Sequence, residues 1–322
     1  MDDLDRRIAA ALQVNGRATW RQVARAVGSS ESTVARRAQH LIDSGFMRVT
    51  AVADPIRCGF GYPVLVQLKC EVGTAEDAAE LLAERPDVRF AALVTGAFDV
   101  VVELIVQSRR RLARILLEEL PEIKGITQTT TESVLRNFKT AYDWSRDLLG
   151  PAAAELEPAR ALAGDSIAPS TVDLQLLQLL VEDGRRSFAQ LAGALGISES
   201  MARRRVEALA AAGCLRFATF VDPHHLGYDV EVLVWMRVDL ARLEETALAL
   251  STRPEVRYLS ATSGFSDLTC EVILRSQDDL YAFSTETLAD LPAVRQVDFA
   301  LELATLKRGF FRAGDYVSKE ER

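Results

Sequence analysis

The sequence of residues 27–48 is VGSSESTVARRAQHLIDSGFMR, and that of residues 195–216 is LGISESMARRRVEALAAAGCLR. The two stretches align without a gap: Gly28 matches Gly196 at an offset of 168 residues (196 minus 28), and the later glycine of each stretch keeps that offset. A fixed offset of this kind indicates a duplicated structural unit. The unit that is repeated therefore decides the fold.

Each stretch has the pattern of a capped amphipathic helix. Ser30 and Ser198 stand where a hydroxyl can accept a hydrogen bond from a free backbone amide. Val34, Ala38 and Leu41 share one helical face. A second short helical pattern ending in glycine precedes each cap, so the pair is typical of a helix-turn-helix. An ordinary helical hairpin with a solvated arginine face is the alternative.

Charge is distributed unevenly along the chain of 322 residues, whose net charge is −8. Residues 1–58 carry nine arginines against six carboxylates, whereas residues 170–224 carry six of each. A basic head on an acidic body favours specific docking over general nucleic-acid binding. We therefore expect the first head to bind DNA more strongly than the second.

The composition also bounds the setting of the protein. The sequence has no apolar run long enough for a membrane span, and its acidic start lacks a signal-peptide core. Four cysteines without metal-site spacing favour a reduced, cytoplasmic environment. We expect no membrane association, cofactor or metal.

Each basic helix is followed by a short alternating segment, Phe46 to Val52 in the first copy, that predicts a strand or wing. Arg48 and Arg216 occupy matching places there and suit phosphate contacts that position a head without reading sequence. Beyond residue 61 the pattern changes to strand, helix, two strands, helix and strand, and the second copy repeats it. This order predicts a βαββαβ sheet with helices on one face.

The predicted fold class is therefore α+β, with two copies of a winged helix-turn-helix head and a ferredoxin-like sheet domain. An Ala-, Pro- and Glu-rich stretch separates the copies, and a short helix from Lys139 to Leu149 leads into it. The predicted ranges are first head 1–60, first sheet domain 61–140, linker 141–170, second head 171–228 and second sheet domain 229–322.

The ordered set of residues resembles the Lrp/AsnC (feast/famine) transcriptional regulators. In the first copy the family-like positions are Leu4, Asp5, Ile8, Gly16, Arg17, Gly28, Ser30, Arg37, Leu41, Gly45, Asp54, Pro55 and Gly59. In the second copy they are Asp173, Gly184, Arg185, Gly196, Ser198, Arg205, Leu209, Gly213, Asp222, Pro223 and Gly227. Family members usually carry one head and one sheet domain and self-associate. The resemblance therefore implies that the fused halves pair as an intramolecular pseudo-dimer, with further copies able to assemble on it.

The resemblance implies that the sheet domains (RAM/ACT-like in the family's terms) sense an amino acid or a related small molecule. The turn Thr95-Gly96-x-x-Asp99 resembles the family's effector loop, and Ser263-Gly264-x-x-Asp267 is its counterpart. A tight hairpin turn whose aspartate binds backbone amides is the alternative reading of both turns.

The leading hypothesis is a transcriptional regulator whose two heads enter successive major grooves of double-stranded DNA, about 34–36 Å or a multiple of that distance apart. The predicted DNA-contacting residues are Arg17, Ser30, Ser32, Thr33, Arg36, Arg37, Arg48, Arg185, Ser198, Ser200, Arg203, Arg204, Arg205 and Arg216. Arg37 and Arg205 border the apolar face, so a structural salt bridge is their alternative role. Because Met201 and Ala202 replace polar or β-branched residues, we expect an asymmetric operator.

Two other classes remain open. Sirohaem decarboxylases resemble the same family, sometimes as fused two-copy chains, but such a site needs histidine and tyrosine near the substrate, and the only histidines are His40, His224 and His225. Residues typical of other catalytic sites do not appear together either, so we predict no enzymatic activity. A ligand-binding or scaffold protein with degenerate heads is the third possibility.

Overall fold

The first 60 residues form three helices and a strand in a computed structural model, which describes residues 1–157 and 168–312. These elements are α1 (Asp3–Val14), α2 (Trp20–Val27), α3 (Glu31–Asp43) and β1 (Met47–Ala53). Thr19 and Ser30 cap α2 and α3, since each hydroxyl accepts a hydrogen bond from the amide three residues later. Gly28 ends α2 in the left-handed conformation, which glycine adopts without strain.

The first sheet domain follows the predicted order. Its elements are β2 (Tyr62–Cys70), α4 (Ala75–Glu84), β3 (Val88–Val94), β4 (Val100–Val106), α5 (Arg109–Arg114) and β5 (Ile126–Thr140). A π-helical turn and a 3-10 turn carry α5 on to Glu122. The predicted helix from Lys139 is wrong at its start: Lys139 and Thr140 continue β5, because they pair with strand residues of the second copy. Helical structure resumes as a 3-10 turn at Arg146–Ala152 and then α6 (Ala153–Leu156).

The second copy repeats the first. Its elements are α7 (Thr171–Glu182), α8 (Phe188–Leu195), α9 (Glu199–Ala211), β6 (Leu215–Val221), β7 (Val230–Val238), α10 (Leu243–Ser251), β8 (Val256–Thr262), β9 (Leu268–Leu274), α11 (Gln277–Ala282), β10 (Val294–Arg308) and β11 (Phe311–Arg312). The predicted α+β class, with both domain types present twice, is confirmed. The centre of the predicted linker (158–167) and the end of the second sheet domain (313–322) lie outside the described residues.

The described residues form two units, and each unit draws on both copies. One unit holds residues 1–60 and 145–226, which include both heads. In this head unit β1 and β6 pair antiparallel in a two-stranded sheet, with Thr50 opposite Ala218. These partners are themselves 168 residues apart, so the local twofold axis relating the heads passes through this pair.

Two equivalent glycines, Gly16 and Gly184, lie beside this ladder and differ in the space that a side chain would have. A Cβ on Gly184 would lie 2.8 Å from the backbone of Thr50, whereas one on Gly16 would meet the side chain of Val49 at 3.0 Å. A side chain can yield but a strand backbone cannot. We therefore expect Gly184→Ala to destabilise the head unit by roughly 1–3 kcal/mol and Gly16→Ala by less. Urea unfolding of both variants checks this, and equal effects would contradict it.

The other unit, which we call the sheet unit, contains residues 61–144 and 227–312. Its strands follow the order β3-β4-β2-β5-β8-β9-β7-β10, and β10 pairs with β3. The long strands make this possible: β5 pairs first with β2 and then with β8, and β10 first with β7 and then with β3. The eight strands therefore close into a ring, which leaves no open edge among them.

Strand alternation divides the residues of this ring between two environments. In β2, Val64, Val66 and Leu68 join the apolar cluster under the helices of their own copy. The second copy has an equivalent cluster. Gln67, which alternates with these valines, lies on the opposite face, inside the ring.

An ion cluster ties α5 to the sheet. Glu119 binds Arg111 and Arg85, and these hydrogen bonds lower the pKa of Glu119 to about 2. Because the pKa of Glu119 is lower in the folded state than its ordinary value of 4.5, the ionised carboxylate stabilises the folded protein above pH 4.5. That stabilisation is lost as the pH falls towards 2. We expect the gap in urea midpoint between wild type and Glu119→Gln to close over this range. A gap independent of pH would contradict the assignment.

Candidate functional site

The outer faces of α3 and α9 carry the exposed basic residues of the head unit. Arg36 and its equivalent Arg204 are exposed, and neither has a hydrogen-bond or ion-pair partner among the described residues. Ser32 and Ser200 are exposed one turn earlier on the same helices. Thr33 is replaced at the equivalent position by Met201. The two faces therefore offer free guanidinium groups in different polar surroundings.

The neighbouring arginines point inward. Arg37 donates to Asp2 at 2.6 Å and Asp5 at 2.8 Å, and these bonds raise the pKa of Arg37. Arg205 donates in the same way to Ser170 and Asp173, each at 3.1 Å. Arg37 thereby joins α3, and Arg205 joins α9, to the start of the first helix of its own head. In this structure Arg37 and Arg205 therefore make the structural salt bridges that are the alternative to DNA contact.

Arg17 and Arg185 connect the two heads. Arg17 donates to the carbonyl oxygens of Gly184 at 3.2 Å and Arg186 at 3.1 Å. Arg185 donates to those of Gly16 at 2.7 Å and Ala18 at 3.0 Å. Both are predicted DNA contacts. The structure instead engages their guanidinium groups inside the head unit, because each head offers backbone carbonyls that only the other head's arginine reaches.

Aromatic rings complete this contact. The guanidinium of Arg185 lies 3.9 Å from the Trp20 ring centroid, and that of Arg17 lies 4.9 Å from Phe188 and 5.0 Å from Phe217. Burial lowers the pKa of both arginines. Carbonyl and ring contacts of this kind hold a cation without a carboxylate. We call these two arginines and the groups that they bind the arginine clamp.

The remaining predicted head residues have mixed surroundings. Half-buried Arg48 reaches the carbonyl of Val181, while the matching Arg216 is exposed. Arg203 lies over Phe188 at 4.4 Å and 3.7 Å from Glu199. The other two, Ser30 and Ser198, are the exposed N-caps of α3 and α9.

The two predicted effector turns lie in the sheet unit, and each binds a long strand of the other copy. Thr95 exchanges two hydrogen bonds with Leu301: its amide donates at 2.9 Å and its hydroxyl accepts at 3.0 Å. Ser263 and Ser133 repeat this exchange at 3.0 and 3.2 Å. Each turn is therefore fixed at a junction between the copies.

The aspartates of these turns bind backbone. Asp99 accepts from the amide of Cys70 at 2.7 Å, and Asp267 accepts from that of Val238 at 2.9 Å. Gly96 and Gly264 have φ angles of +91° and +111°, which the turns require. This geometry matches the tight-turn alternative for Asp99 and Asp267.

Sequence reasoning missed a buried polar cluster next to the second turn. Glu132 is fully buried and accepts from Gln67 Nε2 at 2.7 Å and from the amide of Ser266 at 2.6 Å. Thr262, Ser266 and Thr269 share hydroxyl contacts beside it. Comparing the copies at the 168-residue offset would have marked the site, since Ala300 is the counterpart of Glu132.

Another acidic group inside the ring is already neutralised. The carboxylates of Glu231, Glu271 and Glu302 lie within 4.8 Å of one another. Arg257 and Arg308 bind this group from its flanks. Burial and the nearby Glu271 raise the pKa of Glu302. The two guanidinium groups balance two of the three carboxylates and occupy the sides from which a metal would be bound.

All three histidines of the chain belong to the head unit. His40 is exposed on α3, and His225 packs edge-on against Phe46 with ring centroids 4.8 Å apart. The sheet unit therefore has no imidazole to offer a substrate. Among the described residues, no helix has the length and apolar character needed to cross a bilayer.

Family models match three quarters of the chain. A model of the AsnC-type helix-turn-helix domain matches residues 1–42 and 171–210, and a model of the Lrp/AsnC ligand binding domain matches residues 63–144 and 231–310. Both matches occur once in each copy.

Sequence relatives match one copy at a time. An uncharacterized HTH-type transcriptional regulator of Pyrococcus furiosus is 34% identical over 140 residues, which is 43% of this chain and 94% of the relative. The HTH-type transcriptional regulator Ptr1 of Methanocaldococcus jannaschii is 32% identical over 139 residues, with shares of 43% and 94%.

A solved structure matches along the whole chain. The sirohaem decarboxylase NirDL has a TM-score of 0.63 and covers 95% of this chain and 93% of its own, at 14% identity. The TM-score over this coverage shows a shared fold, and the low identity limits the likeness to the fold alone.

Proposed function

Because the chain belongs to the Lrp/AsnC family, we propose that it is a sequence-specific DNA-binding transcriptional regulator that uses both heads of one chain as an internal pair. The proposal rests chiefly on one observation: two capped helices expose free arginines in heads that a β ladder and the arginine clamp join. A joined pair can meet two half-sites at a set distance. We place its action in the cytoplasm.

Within each head we assign different tasks to different residues. Ser32, Thr33 and Arg36 would meet base edges, as would Ser200 and Arg204 in the second head. Arg203 and Arg216, together with the N-caps Ser30 and Ser198, would contact phosphate. The clamp and the inward-pointing Arg37 and Arg205 would act indirectly by holding the helices in place.

The two heads would bind DNA unequally. The first head also exposes Arg21 and Arg25 on α2, where the second has Ala189 and Gly193. Phosphate contacts dominate affinity, so the first half-site would contribute more of it. A methionine in place of Thr33 removes one hydrogen-bonding group from base readout. The operator would therefore be asymmetric.

We further propose that the sheet unit binds a small effector related to an amino acid and that the protein catalyses no reaction. The absence of histidine from this unit and the pairing of Arg257 and Arg308 with glutamates disfavour a sirohaem-like, highly acidic substrate. The likeness to NirDL makes decarboxylation the alternative to exclude. An absorption spectrum after adding sirohaem would reveal binding if that alternative held.

The test is a pull-down of genomic fragments with the purified chain, followed by footprinting of the enriched sequence. We expect two unequal protected patches one helical turn, or a whole number of turns, apart. A single patch would assign readout to the first head alone. No enrichment at low salt would contradict the regulator.

A further inference from the structure

The interior of the sheet unit is pseudo-symmetric in backbone but opposite in polarity around its two turns. The turn 263–267 covers a polar group of buried side chains: Gln67, Glu132, Ser260, Thr262, Ser266 and Thr269. At the 168-residue offset, the turn 95–99 has an apolar counterpart for each: Trp235, Ala300, Ala92, Val94, Phe98 and Val101. All six positions differ in the same sense. The two turns therefore have different interiors.

Aromatic packing fills the apolar side. Phe98 meets Trp235 at 5.7 Å and Phe265 at 5.5 Å between ring centroids, in edge-on contacts. Phe98 and Trp235 are at most 5% exposed, and Phe265 is partly buried. Displacing such rings would open an apolar cavity, which is costly. The interior of the first turn is thus filled by packed rings, of which Phe265 comes from the second turn.

The polar side holds a buried carboxyl group that has no ion-pair partner among the described residues. Glu132 is fully buried, and the nearby cation Arg237, whose charge acts on it, lies 3.7 Å from Asp267 and pairs with that carboxylate instead. Burial raises the pKa of Glu132. Gln67 turns its amide nitrogen to Glu132 and leaves its fully buried Oε1 with no partner. The cluster therefore offers acceptors that lack a cationic donor.

Resting on the function proposed above, we propose that the Glu132 cluster is the one ligand site of the sheet unit and that it takes one α-amino acid per chain through its ammonium group. The ammonium replaces the amide and hydroxyl of Ser266 at Glu132 Oε1, where they now lie at 2.6 and 3.1 Å. A second ammonium proton is available to Gln67 Oε1. This exchange frees Ser266, which lies in the turn 263–267, from Glu132.

The exchange also reaches the junction between the copies. The same turn contains Ser263, whose amide and hydroxyl bind Ser133 on β5, next to Glu132. Occupancy of Glu132 therefore alters the contact of β5 with the turn. The first turn lacks this response, since Ala300 stands where it would need a carboxylate.

The test uses the full chain and the twenty standard L-amino acids, screened singly by thermal shift and then by equilibrium dialysis of each positive compound. We expect at least one to bind with one equivalent per chain. Its 2-hydroxy-acid analogue, which lacks the ammonium, should bind at least about tenfold more weakly. Both results come from the unaltered protein, so they do not depend on how a variant folds.

Substitutions then locate the site. Glu132→Gln keeps the shape and removes the charge, and we expect it to weaken binding at least about tenfold. The control Ala300→Ser, at the equivalent position, should bind as wild type. No positive amino acid, two equivalents per chain, or unchanged binding by Glu132→Gln would overturn the inference. Footprinting of the same preparations distinguishes failure of the ligand site from failure of the regulator function. A protected operator without amino-acid binding contradicts the ligand site alone.

Discussion

Replacing Arg36 and Arg204 together by alanine is expected to weaken binding to the footprinted operator by about two to four orders of magnitude. Each guanidinium is exposed and free of partners, so its removal leaves the packing of its head intact. A base-edge contact contributes about 1–3 kcal/mol, and two add to roughly 2–6 kcal/mol. Titration at one fixed salt concentration measures the loss.

The control for this pair removes the same charge elsewhere. Arg109 and Arg110 are exposed on α5 in the sheet unit and have no partner among the described residues. Their double alanine variant brings the chain to the same net charge. If it weakens DNA binding as much as the first pair does, a general charge effect and not a contact of α3 and α9 is responsible.

The single variants divide the effect between heads. Arg36→Ala should cost more than Arg204→Ala, because the first head has further exposed arginines that anchor it. Base contacts and phosphate contacts differ in their salt dependence. A loss that relaxes sequence preference without changing the salt slope would support base readout by Arg36.

Local elements could be predicted from the sequence because their signals are local. Ser30 and Ser198 cap α3 and α9, and Gly28 ends α2, as expected. The duplication itself follows from a constant offset that needs no structure. Strand order within each copy follows from the alternation of strand and helix patterns.

Features that depend on distant partners could not be predicted in this way. The extension of β5 to Thr140 depends on pairing with β8, more than a hundred residues later. Arg17 and Arg185 look like ordinary basic residues of a DNA-binding head until the opposite carbonyls are placed. Glu132 sits in a threonine-rich strand that looks exposed, and only closure of the ring buries it.

Replacing both arginines of the clamp, Arg17 and Arg185, by alanine is expected to lower the stability of the head unit by about 3–5 kcal/mol. Each substitution removes two charge-assisted hydrogen bonds and the ring contacts of the arginine, and it leaves part-buried carbonyls unsatisfied. Lysine should not restore the contact, because one ammonium cannot reproduce the fork of a guanidinium.

Hydrogen exchange of the β1 and β6 amides measures this loss at the joint between the heads. Arg36→Ala with Arg204→Ala is the matched control, since it removes two free arginines from the same unit. We expect the clamp variant to exchange much faster than this control. We also expect it to lose its preference for one half-site spacing while retaining weak, salt-sensitive DNA binding, because the recognition arginines remain and only the joint has loosened. Equal protection in the two variants would mean that the β1–β6 ladder alone joins the heads.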